Sequence, residues 1–219
     1  MEAYDRQQNP DPKLRGPIDV LRQWDFRTSE SSVAMTLSHF YGTLYGRMDT
    51  NPQGLSDMEL MQYLGSESAD AERLSVFSNV LDSLISDFGT WELPWGEVNR
   101  YQRINGDIRQ AFDDAKPSIP IGFASGRWGA LAAYGARYNN NTKRIYGTRG
   151  NSFVAVVEFG DKVKAKSMLA GGQSGDPQSP HFDDQALRYA NANFKEVPYY
   201  EADVRARAQE EYHPGERKK

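Results

Sequence analysis

Apolar positions in the first half of the chain recur at helical spacing. Ile18, Leu21 and Trp24 lie three apart, on one face of a helix that opens at Pro17. A second helix starts near Ser29 to Ser32, residue types whose hydroxyls satisfy first-turn N–H groups. It carries Val33, Met35, Leu37, Phe40, Tyr41 and Leu44, apolar around most of its girth, which is the pattern of a helix buried on several sides. Asn51-Pro52-Gln53-Gly54 reads as a turn into a short helix through Met58, Leu60, Met61 and Leu64. Start signals from Ser66 to Asp70 precede a long amphipathic helix with Leu74, Phe77, Val80, Leu81, Leu84 and Ile85 on its stripe. Gly89 stops it. Thr90 to Gly96 forms an aromatic connector, and a short helical turn is expected over Glu97 to Gln102.

Beyond about residue 115 the pattern changes to short β-branched and aromatic runs between Gly and Pro. Arg144 to Gly147 and Ser152 to Phe159 read as strands. Gly160-Asp161 is a tight turn into a further strand, Lys162 to Leu169, whose alternating lysines predict one wet face. A long loop spans Gly171 to Pro180, followed by a helix over Phe182 to Tyr189 and a charged helical tail from Tyr200 to Tyr212. The expected organisation is a linker or torn edge over 1–16, a mainly helical segment over 17–115, antiparallel strands with the long loop and short helix over 116–199, and the tail over 200–219. Helices first and strands afterwards define an α+β chain.

Composition narrows the function classes. A formal net charge of -4 argues against nucleic acid as the partner, since phosphate binding needs a basic face. With Cys 0, disulfides, thiolate catalysis and Cys-based zinc sites are excluded. No run approaches the roughly 18 apolar residues of a membrane span. Met1 to Arg6 is polar and lacks the apolar core of a signal peptide.

The most suggestive local chemistry is Gly172-Gln173-Ser174-Gly175-Asp176, with His181, Asp183 and Asp184 downstream. A nucleophile elbow needs G-x-S-x-G leading straight into a helix. Here Asp176 stands at the second glycine, and Pro177 and Pro180 keep the following segment extended. Triads draw their members from distant segments, so an independent hydrolase built on Ser174 and His181 is the weakest reading. The residues instead predict a structural loop: Gly172, Ser174, Gly175, Ser179, Pro180, His181, Asp184 and Gln185, held by side-chain bonds to backbone. One imidazole beside two carboxylates does not make a metal set, and Asp183 or Asp184 is expected to cap the next helix. His39 reads as a core or boundary histidine and His213 as solvated. Catalytic and metal-binding residues are expected to be absent from this chain.

Four segments, in order, carry a resemblance. Leu21-Arg22-Gln23-Trp24-Asp25 with a Ser-rich helix start at Ser31, Phe88-Gly89-Thr90-Trp91 with Pro94-Trp95-Gly96, Gly150-Asn151-Ser152-Phe153-Val154, and Gly171 to Gln185 resemble the penicillin acylase family. The resemblance covers residues 12 to 200, and its acyl-homoserine-lactone and lipopeptide acylase branch looks nearest. It implies an N-terminal-nucleophile hydrolase of αββα layers, cut from a precursor into α and β subunits. The first residue of β, a serine, attacks the amide carbonyl with its own α-amine as base.

Position 1 here is Met, and the Trp24-Asp25 helix of the family lies beyond the nucleophile and oxyanion Asn. The resemblance therefore implies the C-terminal part of a β subunit, inactive alone. Its partners would be the missing α subunit and the N-terminal part of β, its substrate in the complete enzyme an N-acylated small molecule. Calcium, where the family binds it, would be held by residues outside this chain, and the family address is periplasmic. The alternative is a non-catalytic scaffold or interaction domain derived from such an enzyme.

Overall fold

The computed structural model describes residues 1–45, 54–139, 141–213 and 215–216. The predicted turn at Asn51-Pro52-Gln53, the Met61 side chain and the basic end Arg217-Lys218-Lys219 lie outside the described residues. The chain divides into two compact units, Met1–Gly150 and Asn151–Lys219.

The first unit opens with α1 (Glu2–Asp5) and α2 (Pro12–Arg22). Residues 1–16 are therefore not a linker. Tyr4 and Leu14 are buried in the core, and the helix placed at Pro17 begins a turn earlier. Asp11 caps it by accepting the Lys13 N–H at 2.9 Å. Pro12 sits where a missing N–H costs nothing.

The helix α3 (Val33–Tyr45) starts where the serines predict, with Ser32 Oγ accepting the Met35 N–H at 3.1 Å. After α4 (Asp57–Gly65), α5 (Asp70–Phe88) runs to Gly89, whose φ of 82° is the left-handed geometry that ends helices. Phe77, Val80, Leu81 and Leu84 are buried along α5, each contributing roughly 1.5–3 kcal/mol of burial. Ile85, expected on the same stripe, is exposed.

The turn expected over Glu97 to Gln102 forms earlier, as α6 (Trp95–Val98), and the chain then enters β1 (Asn99–Tyr101). With β2 (Ile119–Pro120), β3 (Tyr134–Arg137) and β4 (Ile145–Gly150) it makes a sheet of order β2-β1-β4-β3. The strands are not all antiparallel. β1 runs parallel to β4, pairing Asn99 with Ile145. The long connection between them lets the chain return to the same end of the sheet.

The second unit contains β5 (Phe153–Glu158), β6 (Lys164–Leu169), α7 (Ala186–Ala190), β7 (Lys195–Val197) and α8 (Glu201–Arg207). Its sheet is antiparallel, in the order β5-β6-β7. The connection from β5 to β6 takes five residues, Phe159 to Val163, instead of a tight two-residue turn. The helices predicted over Phe182 to Tyr189 and Tyr200 to Tyr212 are both shorter than expected.

Opposite residues share a face. Val156 faces Lys166, and Glu158 faces Lys164, on the wet side predicted from the lysines. Phe153, Ala155 and Val157 occupy the other side of β5, yet Phe153 is 61% and Val157 45% exposed. Phe159, just past the strand, is 83% exposed.

Candidate functional site

The Gly171 to Gln185 loop folds back on itself. Gly171 takes φ 91°, and its carbonyl accepts the Gln185 N–H at 2.8 Å, closing the loop at its base. Farther out, the Ser174 N–H donates to the His181 carbonyl at 3.0 Å and ties the two arms together. Gly172 is required by this approach. A Cβ there would sit 2.1 Å from the His181 carbonyl oxygen, whereas one on Gly175 would meet nothing.

Side chains finish each arm. Ser174 Oγ accepts the Asp176 N–H at 3.1 Å, Asp176 Oδ1 accepts the Gln178 N–H at 2.9 Å, and Ser179 Oγ accepts the His181 N–H at 3.2 Å. These are the short-range turns that Ser and Asp favour. Pro180 is exposed between them, while Phe182, Gln185 and Ala186 are buried. Beneath the loop, the buried Tyr189 donates its hydroxyl proton to the Asn151 carbonyl at 2.9 Å.

His181 Nδ1 lies 3.0 Å from Asp184 Oδ2, with the imidazole 69% exposed. Asp184 therefore does not cap the next helix, and neither does Asp183: α7 begins after Gln185 with no side-chain cap. An exposed imidazole–carboxylate pair can move a proton. Acyl transfer also needs a hydroxyl on the imidazole and a preorganised oxyanion site. The Ser174 hydroxyl is instead engaged with the backbone of its own arm. Among the described residues no group of three or more His, Cys, Asp or Glu is placed to hold a metal ion.

The Phe88 to Gly96 segment lies in the first unit. Trp95 is buried, and its indole N–H donates to the Phe123 carbonyl at 2.9 Å. Its backbone N–H reaches Ser32, and that of Gly96 reaches Glu30, so the Pro94-Trp95-Gly96 connector pins the chain entering α3. A Cβ on Gly96 would fall 2.8 Å from Pro120 and 2.9 Å from Glu30.

Sequence reading missed two anchors beside this knot. Asn99 is fully buried and donates from Nδ2 to the Ile121 and Phe123 carbonyls at 2.8 and 2.9 Å. Arg100 grips the Gly96 carbonyl and both the carbonyl and hydroxyl of Ser118. Burial holds the Arg100 guanidinium below its ordinary pKa. The signal available was a polar pair, Asn99-Arg100, directly after an apolar Trp-Gly turn. His39 packs its ring 4.6 Å from that of Trp95, in keeping with its place among apolar neighbours.

With these features in place, the class follows. Residues 2–206 match the sequence profile of the family described as Penicillin amidase. The chain belongs to the penicillin amidase family, whose members are amidohydrolases. An acyl-homoserine lactone acylase PvdQ from Pseudomonas fluorescens is 34% identical over 107 residues, 48% of this chain and 13% of that protein. One from Pseudomonas savastanoi pv. phaseolicola is 30% identical over 102 residues, 46% of this chain and 13% of that protein. The aligned stretch thus spans about an eighth of these curated relatives. A thermostable penicillin G acylase structure from Alcaligenes faecalis aligns with 97% of this chain and 44% of its own, at 15% identity and a TM-score of 0.46.

Proposed function

We propose that this chain forms the C-terminal part of the β subunit of an amide hydrolase that acts on N-acylated small molecules. In this reading the chain is scaffold, and the nucleophilic serine lies outside residues 1–219. The serine oxygen attacks the amide carbonyl carbon, and the serine's own α-amine takes the hydroxyl proton and returns it to the departing amine. Water then cleaves the acyl ester and regenerates the serine. The chain itself builds part of the αββα layers, with the Trp95 knot and the Gly171 to Gln185 loop as rigid supports. The α subunit and the rest of β are its partners, and the enzyme works in the periplasm.

One observation carries the reading: the family match spans nearly the whole chain, while the most suggestive serine is engaged in turn formation. The two PvdQ relatives favour an acyl-homoserine lactone as substrate. The test is turnover of a chromogenic N-acyl amide by the purified chain. No turnover above background is expected. Activity that co-purifies with the wild-type chain and vanishes in Ser174→Ala would replace this reading with an independent serine hydrolase.

A further inference from the structure

A cavity of about 350 Å³ lies among α1, α2, α3 and α5 of the first unit. Its walls are Ile18 and Leu21 from α2, Leu37 and Tyr41 from α3, and Leu74 and Phe77 from α5. That volume falls within the range of small-molecule sites, and the mixture of apolar walls with a few polar groups is typical of them. Ser38 and Arg73 supply the polar groups, and Glu2 stands at the rim.

The polar groups are mainly donors. Arg73 commits Nη2 to the Ser66 carbonyl and to Asp70 Oδ1, whereas Nη1 makes no hydrogen bond among the described residues; Nε is unpartnered as well but sealed from solvent, out of a ligand's reach. Burying a donor without an acceptor is costly, so the guanidinium has unspent capacity. Charge points the same way. Asp70 is shared between Arg73 and Arg6, so one carboxylate serves two cations. The Glu2 and Glu67 carboxylates near Arg6 are 91% and 79% exposed, and water and salt screen them. Burial pushes the Tyr41 phenol up to about 12, so it stays protonated and able to donate.

We infer that this cavity binds a small monocarboxylate amphiphile, with its apolar body among Ile18, Leu21, Leu37 and Phe77 and its carboxylate on Arg73. The apolar walls supply affinity, and Arg73 selects the sign of the head group. An ammonium head would meet the guanidinium and be repelled. A carboxylate without an apolar body would leave the walls unfilled. The site stands whether or not the chain takes part in amide hydrolysis.

Calorimetric titration of the 219-residue chain with octanoate, octylamine and acetate tests the assignment. Octanoate is expected to bind once per chain with Kd below about 1 mM, and the other two at least about tenfold more weakly. Ser38→Trp projects an indole into the cavity and should weaken octanoate binding about tenfold or more, with unchanged circular dichroism. Should that variant misfold, Leu74→Phe narrows the same cavity. Arg73→Gln should abolish the preference for octanoate over its neutral amide. Equal binding of octylamine and octanoate overturns the assignment. So does undiminished octanoate binding in the folded cavity-filling variant.

Discussion

Arg6 and Asp70, 64 residues apart in sequence, meet in a two-bond fork: Nε to Oδ2 at 2.7 Å and Nη2 to Oδ1 at 2.9 Å. The fork fastens the segment after α1 to the first turn of α5. The Arg6 hydrogen bonds, followed by its charge and the Arg73 interactions, hold the Asp70 carboxyl below the usual carboxylate range. Arg6 is raised in return and stays charged throughout. A depressed carboxyl stabilises the fold above its unfolded pKa, about 4, and that contribution disappears as pH falls through the folded value. Asp70→Asn should therefore melt below the wild type at pH 7, and the two melting temperatures should converge as the pH is taken below the unfolded carboxyl's value and through the folded one. Melting curves that stay parallel across that range would remove Asp70 from the acid dependence.

Asn99→Ala should destabilise the first unit by about 2–3 kcal/mol. It deletes two buried hydrogen bonds, those to the Ile121 and Phe123 carbonyls. Trp95 also donates to Phe123, so the Asn99→Ala and Trp95→Phe losses should not add. Urea unfolding of both single variants and the double variant measures this.

Gly172 and Gly175 are three residues apart but should respond differently to alanine. Gly172→Ala forces a methyl onto the His181 carbonyl and should cost more than about 2 kcal/mol, as an overpacked site does. Gly175→Ala meets open space and should stay within about 0.5 kcal/mol of wild type. Limited proteolysis of the loop is a second readout. Rapid cleavage is expected only in Gly172→Ala.

Ser174→Ala, placed in the complete enzyme proposed above, should reduce kcat/KM by less than about tenfold, through loosening of the loop. Removal of a catalytic nucleophile costs on the order of 10⁶. A loss of that size would move the chemistry into this loop.

The sequence made the long local elements legible and left the long-range ones hidden. The α5 helix announces itself through the Phe77, Val80, Leu81 and Leu84 spacing and the Gly89 stop. Within the loop, the Ser174, Asp176 and Ser179 side chains bond backbone only two residues away, a range that composition can signal, whereas the Gly171–Gln185 and Ser174–His181 closures span 14 and 7 residues and left no local mark. The start of α2 was misplaced because Pro12 and Pro17 are both plausible first-turn residues, and Asp11 as the cap decides between them. Nothing local in Asn99 to Tyr101 says that this short strand will pair in parallel with Ile145. The Arg73 cavity was equally invisible, because its walls come from separate helices and each wall alone reads as ordinary core.

The exposure of Phe153 and Val157 on an edge strand, and of Phe159 just past it, has a consequence in time as well as in space. The edge of β5 away from β6 is a template for any extended chain it meets, a second copy included. Collisions between copies grow with the square of concentration, whereas folding of a single copy does not depend on it. Slow expression at low temperature therefore favours the native outcome, and a strong promoter favours inclusion bodies.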